Sequence, residues 1–268
     1  MKIYYNKTFK ELTSIKCGGT IKTFIEIHDF NELKLLNDYF VIGNGSNILA
    51  SSKNYENVVI KLKNKEFIFI NDDVVEVSSN TQLNKLINAL SGLGYYNLTR
   101  LYMIPATIGG AIKMNASAFN KNISDDLIDV LVYDKGFKRV KKENISFNYR
   151  YSNIEGVILS ARFKLKKSID YRKKVLEIRK RTQPIGINTF GSIFKNLNGI
   201  YAYQIIDLLN LRGYKINNAM ISNKHSNFIE NINDAKAEDI LNLIELVRFN
   251  AFSKLNIELS LEVILLNF

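Results

Sequence analysis

The sequence predicts an α+β fold, in which strands and helices are grouped and do not strictly alternate along the chain. Segments such as "IKTFIEI" (21–27) and "VVEVSS" (74–79) alternate apolar and polar residues, which is typical of half-buried strands. The segment "TQLNKLINALSGLGY" (81–95) instead repeats its apolar residues at helical spacing, and a long helix is expected from about Asp234. The pattern therefore predicts mixed sheets with segregated helices.

The other predicted elements follow the same two periodicities. A helix is expected in "NELKLLNDYF" (31–40), followed by a short apolar strand that runs into "VIGNGSNILA" (41–50). The last stretch, "NIELSLEVILL" (256–266), alternates as a strand should, with Glu262 on its polar face. Further strands are predicted at 57–63, 66–70, 128–134, 137–147, 156–166 and near 227–231, and further helices at 170–181 and 201–211.

The chain of 268 residues suits one large domain or two moderate ones. We expect a boundary in the basic stretch 168–182, just before Pro184, which separates a domain at 1–167 from a smaller one at 168–268. The 46% hydrophobic and 24% charged residues are ordinary for a globular protein. No apolar run is long enough to span a bilayer, and the start lacks the apolar core of a signal peptide. A cytoplasmic protein is therefore expected.

The composition also limits the chemistry. Cys17 is the only cysteine, and the two histidines, His28 and His225, lie far apart in the sequence. An intrachain disulfide is impossible and a His-rich or thiolate metal site is poorly supported, so we expect no metal. Catalysis has to come from Ser, Arg, Lys, Glu or Asp side chains, or from a bound cofactor. The net charge of +11 favours anionic partners, but the basic residues are scattered, which favours a solvated basic surface.

A glycine-containing loop follows an apolar strand at Gly43, Asn44, Gly45, Ser46 and Asn47. Glycines let backbone N–H groups approach an anion closely, and Ser and Asn add side-chain donors, so the loop suits a pyrophosphate. The same Asn-Gly pair is also the commonest hairpin turn, and for this loop alone the turn is favoured. The loop fits neither a Walker sequence nor the dinucleotide pattern G-x-G-x-x-G.

The segment "IPATIGGAIKMNASAF" (104–119) contains one of only two prolines in the chain. Pro105 rigidifies its entry, Gly109 and Gly110 permit close backbone approach, and small residues keep the following part thin. Two explanations stay open: the segment lies flat against a large ligand, or a helix packs tightly on a sheet. Because the chain has two phosphate-friendly segments, we expect them to fold together into one pocket.

Three further positions, taken singly, are best explained as structural. Ser192 lies in "QPIGINTFGSIFKN" (183–196), Arg150 lies between tyrosines in "NYRYS" (148–152), and Glu262 lies on the last predicted strand. An arginine so placed can stack on an aromatic ring and form paired bonds to a carboxylate or phosphate.

In combination and order, these segments resemble the UDP-N-acetylenolpyruvoylglucosamine reductase family in its shorter form. The resemblance implies a non-covalent FAD in a domain of the vanillyl-alcohol-oxidase (PCMH) type, with two α+β lobes, followed by a smaller α+β substrate-binding domain. It runs nearly from end to end, through "VIGNGSNILA", "IPATIGGAIKMNASAF", "YRYS", "QPIGINTFGSIFKN", "NAMISNKHSNFIEN" and "LEVILL".

The resemblance further implies NADPH as electron donor and a UDP-sugar as substrate. Hydride would pass by way of FAD to the enolpyruvyl methylene carbon of UDP-N-acetylglucosamine enolpyruvate, a step of peptidoglycan precursor synthesis. The loop and the proline segment would surround the pyrophosphate and the flavin ring. The implied cofactor contacts are Gly43, Asn44, Gly45, Ser46, Asn47, Ile104, Pro105, Thr107, Gly109, Gly110 and Ala111.

Three catalytic positions carry over by matching motifs. Arg150 matches the arginine of the family motif Tyr-Arg-x-Ser, and Glu262 matches the glutamate before the closing apolar strand. Both side chains would stabilise the enolate-like charge on the substrate. Ser192 matches the serine of the family motif Gly-Ser-x-Phe-Lys-Asn and would donate the proton that completes the lactyl ether. Contacts to the substrate's carboxylate or phosphates are expected from Tyr149, Lys195 and Asn196.

The sequence departs from the family pattern at several positions. Thr182 stands where relatives commonly carry a substrate-holding lysine, and Arg181 is the candidate replacement. Asparagine tolerates a positive φ better than other non-glycine residues, so turns can survive an exchange of glycine for asparagine. Such exchanges are expected at Asn44, Asn120, Asn217 and Asn218.

Two other functions remain alternatives. A different flavoenzyme of the same fold, such as a small-molecule oxidase, would keep FAD and change the acceptor. A nucleic-acid binder is prompted only by the charge, and no recognised module supports it. The favoured expectation is a monomeric cytoplasmic reductase that takes a UDP-sugar and NADPH, with no nucleic-acid or membrane partner.

Overall fold

The computed structural model describes residues 1–197 and 199–268, which divide into two compact units. The units are not the continuous ranges 1–167 and 168–268, because two N-terminal segments belong with the C-terminal third. The last boundary between the two units, after residue 178, lies within the stretch 168–182 in which the domain boundary was expected. The assignment of two domains at 1–167 and 168–268 stays a prediction. Unit 1 consists of Met1–Tyr4, Phe24–Asn44 and Val58–Ile178, and unit 2 of Tyr5–Thr23, Gly45–Asn57 and Arg179–Phe268.

The strands of the described residues are mostly short and are numbered in chain order. They are β1 (Lys2–Thr8), β2 (Thr20–Ile27), β3 (Tyr39–Val41), β4 (Ile48–Ala50), β5 (Tyr55–Leu62), β6 (Ile68–Asn71), β7 (Val74–Ser78), β8 (Ser117–Ala118), β9 (Lys121–Asn122), β10 (Leu127–Tyr133), β11 (Phe137–Lys141), β12 (Phe147–Asn148), β13 (Tyr151–Ser152), β14 (Val157–Lys164), β15 (Lys215–Ile216), β16 (Ala219–Ile221), β17 (Ile229–Asn231) and β18 (Ile264–Leu266).

The helices are fewer, and none in the described parts of the chain has both the length and the apolar character needed to cross a membrane. The α-helices are α1 (Phe9–Leu12), α2 (Leu83–Gly92), α3 (Ile108–Lys113), α4 (Arg172–Thr182), α5 (Ala202–Leu208) and α6 (Ala237–Leu255). Short 3₁₀ turns occupy Phe30–Leu35, Thr99–Leu101, Ile123–Asp126 and Lys142–Asn144.

The centre of unit 1 is an antiparallel sheet with strand order β11-β10-β14-β7-β6. Its middle strand, β14, contributes apolar residues to two separate hydrophobic clusters. Ala161 and Phe163 pack with the apolar stripes of α2 and α3, while Val157 and Leu159 pack with β2 and β5. The helix predicted at 81–95 is confirmed, confined to Leu83–Gly92, as are most of the strands predicted for this sheet. The strand predicted at 137–147 is only partly correct, because it ends at Lys141 and a 3₁₀ turn follows at Lys142–Asn144.

The helix predicted at 31–40 is wrong. A short 3₁₀ turn begins after Asp29, whose side chain accepts a bond from Asn31 N at 2.8 Å. Asp38 then takes a positive φ of 54°, which ends the helical path. This turn sends the chain into β3, which pairs in parallel with β5. Pairing with a neighbouring strand therefore overrides the local helical pattern.

Unit 2 contains the antiparallel sheet β15-β16-β17 and the long helix α6. The predicted stripe of Ile240, Leu243, Ile244 and Val247 is confirmed, because all four side chains are fully buried, although α6 begins at Ala237 and not at Asp234. Cys17 lies in the same core. Burial, followed by the nearby Glu238 and Asp234 carboxylates, raises the pKa of its thiol to about 12, so the thiol stays protonated at neutral pH.

The strand predicted at 256–266 is only partly correct. A regular ladder forms over β18 alone, which pairs in parallel with β4. Upstream, Glu262 N and Val263 N both donate to Ile193 O, so the pairing is irregular there. Burial nevertheless alternates as the pattern predicts, since Leu259 and Val263 are buried and Ser260 is exposed.

Two of the asparagine-for-glycine exchanges behave as expected. Asn120 and Asn217 have positive φ angles of 57° and 49°, which asparagine tolerates better than other non-glycine residues. Asn44 and Asn218 do not occur among the described residues with a positive φ. A left-handed backbone therefore does not explain these two asparagines.

Asp126 is a buried carboxylate of unit 1 that accepts three side-chain hydrogen bonds. It accepts bonds from Lys121 Nζ (2.5 Å), Lys166 Nζ (2.8 Å) and Asn97 Nδ2 (2.8 Å). Burial alone would raise the pKa of Asp126, but the bonds from Lys121, Lys166 and Asn97 outweigh it and hold the pKa below its ordinary value.

We predict that Asp126→Asn destabilises the protein in a pH-dependent way. The lowered folded pKa means that ionised Asp126 stabilises the fold above the unfolded pKa, and that this contribution disappears as the pH falls through the folded value. The loss should be roughly 2 kcal/mol at pH 7 and smaller at the lowest pH at which the protein stays folded, both measured by urea unfolding. Asp73→Asn, which removes an exposed ion pair with Lys164, is the control and should cost less than about 0.5 kcal/mol. An equal loss for Asp126→Asn at both pH values would contradict this account.

Candidate functional site

In unit 1, the end of the glycine strand and the proline segment meet. A Cβ built on Gly43 would come within 2.7 Å of Thr107 Oγ1, so a side chain at position 43 would collide with the Thr107 hydroxyl. Asn44 Nδ2 donates to Pro105 O at 3.1 Å. The expectation that the two glycine-containing segments fold together is confirmed for these residues.

The N-terminus of α3 is capped from within the protein. Thr107 Oγ1 accepts from Gly110 N at 3.3 Å, and Thr107 O accepts from Ala111 N at 2.8 Å. Ile108 N donates to Thr81 O at 2.9 Å. These N–H groups are therefore already used, and this helix start is not a free anion site.

Gly109 is explained by packing. Its N–H donates to Ser79 O at 2.8 Å, and a Cβ at this position would lie 3.1 Å from Ser79 Cβ. The packing explanation left open by the sequence therefore applies to Gly109. Ser79 Oγ and Asn80 Oδ1 are buried and have no hydrogen-bond partner in the described parts of the chain. Such atoms are suited to a bound polar ligand.

The loop at 43–47 differs from the start of α3, because its Gly45 and Asn47 carbonyl groups are bonded and its N–H groups are not bonded within the described residues. Gly45 O accepts from Ser14 N at 3.1 Å, and Asn47 O accepts from Ile264 N at 3.0 Å. Among the described residues, none provides an acceptor for the N–H groups of 43–47. Gly45 has a φ of 59°, and a Cβ there would lie 2.4 Å from Leu12 O, so only glycine fits. N–H groups that lack an acceptor within the described residues are suited to the oxygens of a bound pyrophosphate.

Arg150 lies in unit 1, in the two-residue turn between β12 and β13. Its φ of 57° is uncommon for arginine and is the left-handed conformation that a two-residue hairpin turn favours. Nη1 donates to Ser117 Oγ at 2.5 Å, and the guanidinium lies 5.0 Å from the centroid of the exposed Tyr149 ring. Asn115 bonds the same hairpin through Asn148 O at 3.1 Å. The end of the proline segment therefore holds Arg150.

In unit 2, Ser192 and Glu262 are brought together. Ser192 forms a backbone bridge with Phe228, and Glu262 N donates to O of the adjacent Ile193 at 2.8 Å. Asn47 Nδ2 donates to Glu262 O at 3.0 Å. The serine segment, the glutamate segment and the end of the glycine loop are therefore one bonded assembly.

Two residues of this assembly were missed by the sequence analysis. Ser14 Oγ donates to Thr189 O at 2.6 Å and contacts Gly45 O at 3.4 Å, which links the loop to the serine segment. Asn227 exchanges two bonds with the backbone of Phe194, at 3.0 and 2.9 Å. An isolated serine gives no sequence signal, whereas Asn227 lies inside a segment that matched the family.

The expected substrate contacts differ in their surroundings. Asn196 Oδ1 accepts from Ala202 N at 3.1 Å, at the start of α5, so part of its side chain has a structural role that the sequence did not indicate. Lys195 is half-buried, and its backbone N–H donates to Ser260 O at 2.8 Å. Arg181 is exposed at the end of α4. The roles of Tyr149, Lys195, Asn196 and Arg181 in substrate binding stay predictions.

His225 contacts Phe228, the residue whose backbone bridges Ser192. Its ring packs against Phe228, with centroids 4.7 Å apart, and against Tyr203 at 5.4 Å. Burial, followed by the nearby Arg212 charge, lowers the pKa of His225, so the ring is neutral at pH 7. No group of three or more acidic, cysteine or histidine side chains in the described residues could hold a metal ion.

We predict that Gly109→Ala destabilises the protein, because the new methyl group would overlap Ser79. The expected cost is about 1–3 kcal/mol, measured by thermal or urea unfolding. Gly92→Ala is the matched control: Gly92 also lies in a helix, but nothing is within 4 Å of its built Cβ. That change should be neutral or stabilising by up to about 1 kcal/mol. Equal effects of the two substitutions would show that close packing is not the reason for Gly109.

Two family models and several known proteins match this chain. Residues 183–266 match the family model for the UDP-N-acetylenolpyruvoylglucosamine reductase C-terminal domain, and residues 34–136 match that for an FAD binding domain. A UDP-N-acetylenolpyruvoylglucosamine reductase of Bacillus pumilus is 34% identical, with 98% of this chain and 93% of the relative covered. One from Fusobacterium nucleatum subsp. nucleatum is 31% identical over 99% of both chains.

The fold agrees as well. The crystal structure of UDP-N-acetylenolpyruvylglucosamine reductase from Thermus caldophilus superposes with a TM-score of 0.89, at 31% identity and with full coverage of both chains. The predicted α+β class, with an FAD-binding domain followed by a reductase C-terminal domain, is confirmed. The chain belongs to the UDP-N-acetylenolpyruvoylglucosamine reductase family.

Proposed function

We propose that this chain is an FAD-dependent oxidoreductase that uses NADPH to reduce the enolpyruvyl group of UDP-N-acetylglucosamine enolpyruvate. The product is the lactyl ether, UDP-N-acetylmuramate, a precursor of peptidoglycan. The observation that carries the proposal is the loop at 43–47, whose N–H groups have no acceptor within the described residues, in a chain that matches an FAD binding domain.

The N–H groups of 43–47 would hold the diphosphate of the cofactor, with the Ser46 hydroxyl as an additional donor. Pro105 and Thr107 would form a wall beside it, and Ser79 Oγ would gain the partner it lacks among the described residues. When bound, FAD supplies hydride transfer from NADPH to the substrate. The N–H groups of Gly109, Gly110 and Ala111 are already bonded. These three residues would therefore contact the cofactor by van der Waals packing and not by hydrogen bonds from their N–H groups.

Ser192 would donate the proton that completes the lactyl ether. A serine hydroxyl is a weak acid in water, so its position has to provide most of the effect. The backbone bridge to Phe228 and the bond of Glu262 N to Ile193 O fix the segment on both sides of Ser192. That rigidity supports the assignment.

Arg150 and Glu262 would stabilise the charge that develops on the substrate carbon and its carboxylate. The positive φ of Arg150 and its bond to Ser117 Oγ support a guanidinium held in one direction. Tyr149 beside it would contact the substrate carboxylate or phosphates. Lys195 and Asn196 are also proposed to contact the substrate carboxylate or phosphates, with Asn196 limited by its bond to α5.

We further propose that the enzyme acts as a monomer in the cytoplasm, with no membrane or nucleic-acid partner. Its product would support cell-wall biogenesis, and through it cell shape and division. The nature of the substrates supports this location, because NADPH and nucleotide sugars are small cytoplasmic metabolites.

The function is tested by the spectrum and turnover of the purified protein. A yellow protein with flavin absorbance should oxidise NADPH, and product should form only when UDP-N-acetylglucosamine enolpyruvate is present. A protein that stays colourless after addition of FAD would contradict the proposal. A flavin that is rapidly reoxidised by oxygen and does not respond to the UDP-sugar would favour an oxidase.

We predict that Ser192→Ala separates the two half-reactions. Flavin reduction by NADPH should proceed at the normal rate, because it needs no proton from Ser192, while product formation should fall by at least about 100-fold. Stopped-flow absorbance at the flavin band measures both steps. Ser253→Ala, an exposed serine on α6, is the control and should leave both rates unchanged. If Ser192→Ala lost both half-reactions together, or neither, Ser192 would not be the proton donor.

A further inference from the structure

Asn44 and Gln82 form a reciprocal pair of amide hydrogen bonds in unit 1. Asn44 Nδ2 donates to Gln82 Oε1 at 2.6 Å, and Gln82 Nε2 donates back to Asn44 Oδ1 at 2.8 Å. The same Asn44 Nδ2 donates to Pro105 O at 3.1 Å. The side chain of Asn44 therefore joins the glycine loop to two other segments at once. We refer to these three bonds as the amide clasp.

The backbone of Asn44 gives no reason for an asparagine. Among the described residues with a positive φ, Asn44 is not found, so the position does not call for the left-handed tolerance of asparagine or glycine. What asparagine adds over glycine here is its side-chain amide, and both polar atoms of that amide are bonded. The contacts of this amide, and not the conformation of the loop, explain the residue.

Gln82 is held in place independently of Asn44. It lies at the N-cap position of α2 but makes no side-chain capping bond, so its amide remains available to Asn44. Its backbone bridges Thr107, and Leu83 N donates to Ala106 O at 2.9 Å. Gln82 is thus a fixed anchor on the same short ladder that carries the proline segment.

We propose that the amide clasp holds Gly43 and Asn44, the start of the diphosphate-binding loop, against residues 105–107 before FAD enters, and so lowers the dissociation constant for FAD. This inference rests on the proposed function, since it assigns 43–47 to the cofactor. A loop held in its bound conformation loses less conformational entropy on binding, which strengthens affinity without any new contact to the ligand. Asn44 and Gln82 are therefore positioning residues.

The expected size of the effect is modest. Gln82 is exposed and Asn44 half-buried, so water competes with their bonds and each contributes less than a buried bond. Breaking the clasp should raise the FAD dissociation constant roughly three- to tenfold, mostly through faster release. A much larger change would indicate direct contact with the cofactor.

The test is a double-mutant cycle of Gln82→Ala and Asn44→Gly on the full-length protein. FAD affinity of the apoprotein is measured by quenching of flavin fluorescence, and apoprotein stability by thermal unfolding. Asn88→Ala, which removes an exposed amide from the same helix, is the matched control. The clasp predicts that each single variant binds FAD three- to tenfold more weakly and that the double variant is no weaker than the worse single one. Apoprotein melting temperatures should stay within about 2 °C of wild type.

Additive effects of the two substitutions, or FAD binding by Gln82→Ala that equals that of Asn88→Ala, would overturn the inference. A fall in apoprotein stability that accounts for the whole loss of affinity would overturn it too, since the pair would then be merely structural. Asn44→Gly alone still tests the clasp if Gln82→Ala folds poorly. Failure of the wild-type protein to bind FAD is a different outcome, because it would remove the proposed function itself and the clasp with it.

Discussion

The arrangement of peptide groups in residues 43–47 is the constraint on which the rest of the site depends. Carbonyl oxygens of this loop accept bonds from Ser14 and Ile264, while its N–H groups find no acceptor in the described parts of the chain. An N–H group that lacks both water and a partner costs about 1–3 kcal/mol, so such a loop needs either solvent or an anionic ligand. The φ of Gly45 and the nearness of Leu12 O exclude any residue with a side chain there. The loop is thus suited to hold a diphosphate.

The second glycine-containing segment has a different task. At α3 the N–H groups of residues 108–111 are bonded within unit 1, and Gly109 is small because Ser79 is close. The N-cap residue of α3, Thr107, contacts Gly43, so the start of this helix packs against the first residue of the loop. The same chain then continues to Ser117, which holds Arg150. One short segment therefore contacts Gly43, the first residue of the proposed cofactor loop, and also holds Arg150, and all of these residues lie in unit 1.

Much of this could be predicted from the sequence, and the failures have physical causes. Period-two strands and the stripe of α6 were predictable because burial imposes them residue by residue. The helix expected at 31–40 was not formed, because parallel pairing with β5 prevails over a local pattern. The two glycine-containing segments looked alike in sequence, yet the N–H groups of 43–47 have no acceptor in the part of the chain that the structure describes, whereas those of 108–111 are bonded. Only the hydrogen-bond partners distinguish them. Ser14 and Gln82 could not have been found, since neither lies in a recognisable motif.

The central claim is tested most directly by the protection of individual amides. Amide hydrogen exchange, followed residue by residue by NMR, should be measured on the apoprotein and on the protein saturated with FAD. The account predicts that the N–H groups of 43–47 exchange rapidly without FAD and become protected with it. Those of 108–111, already bonded, should be protected in both states and change little. Protection that appears at 108–111 while 43–47 remains unchanged would contradict the account.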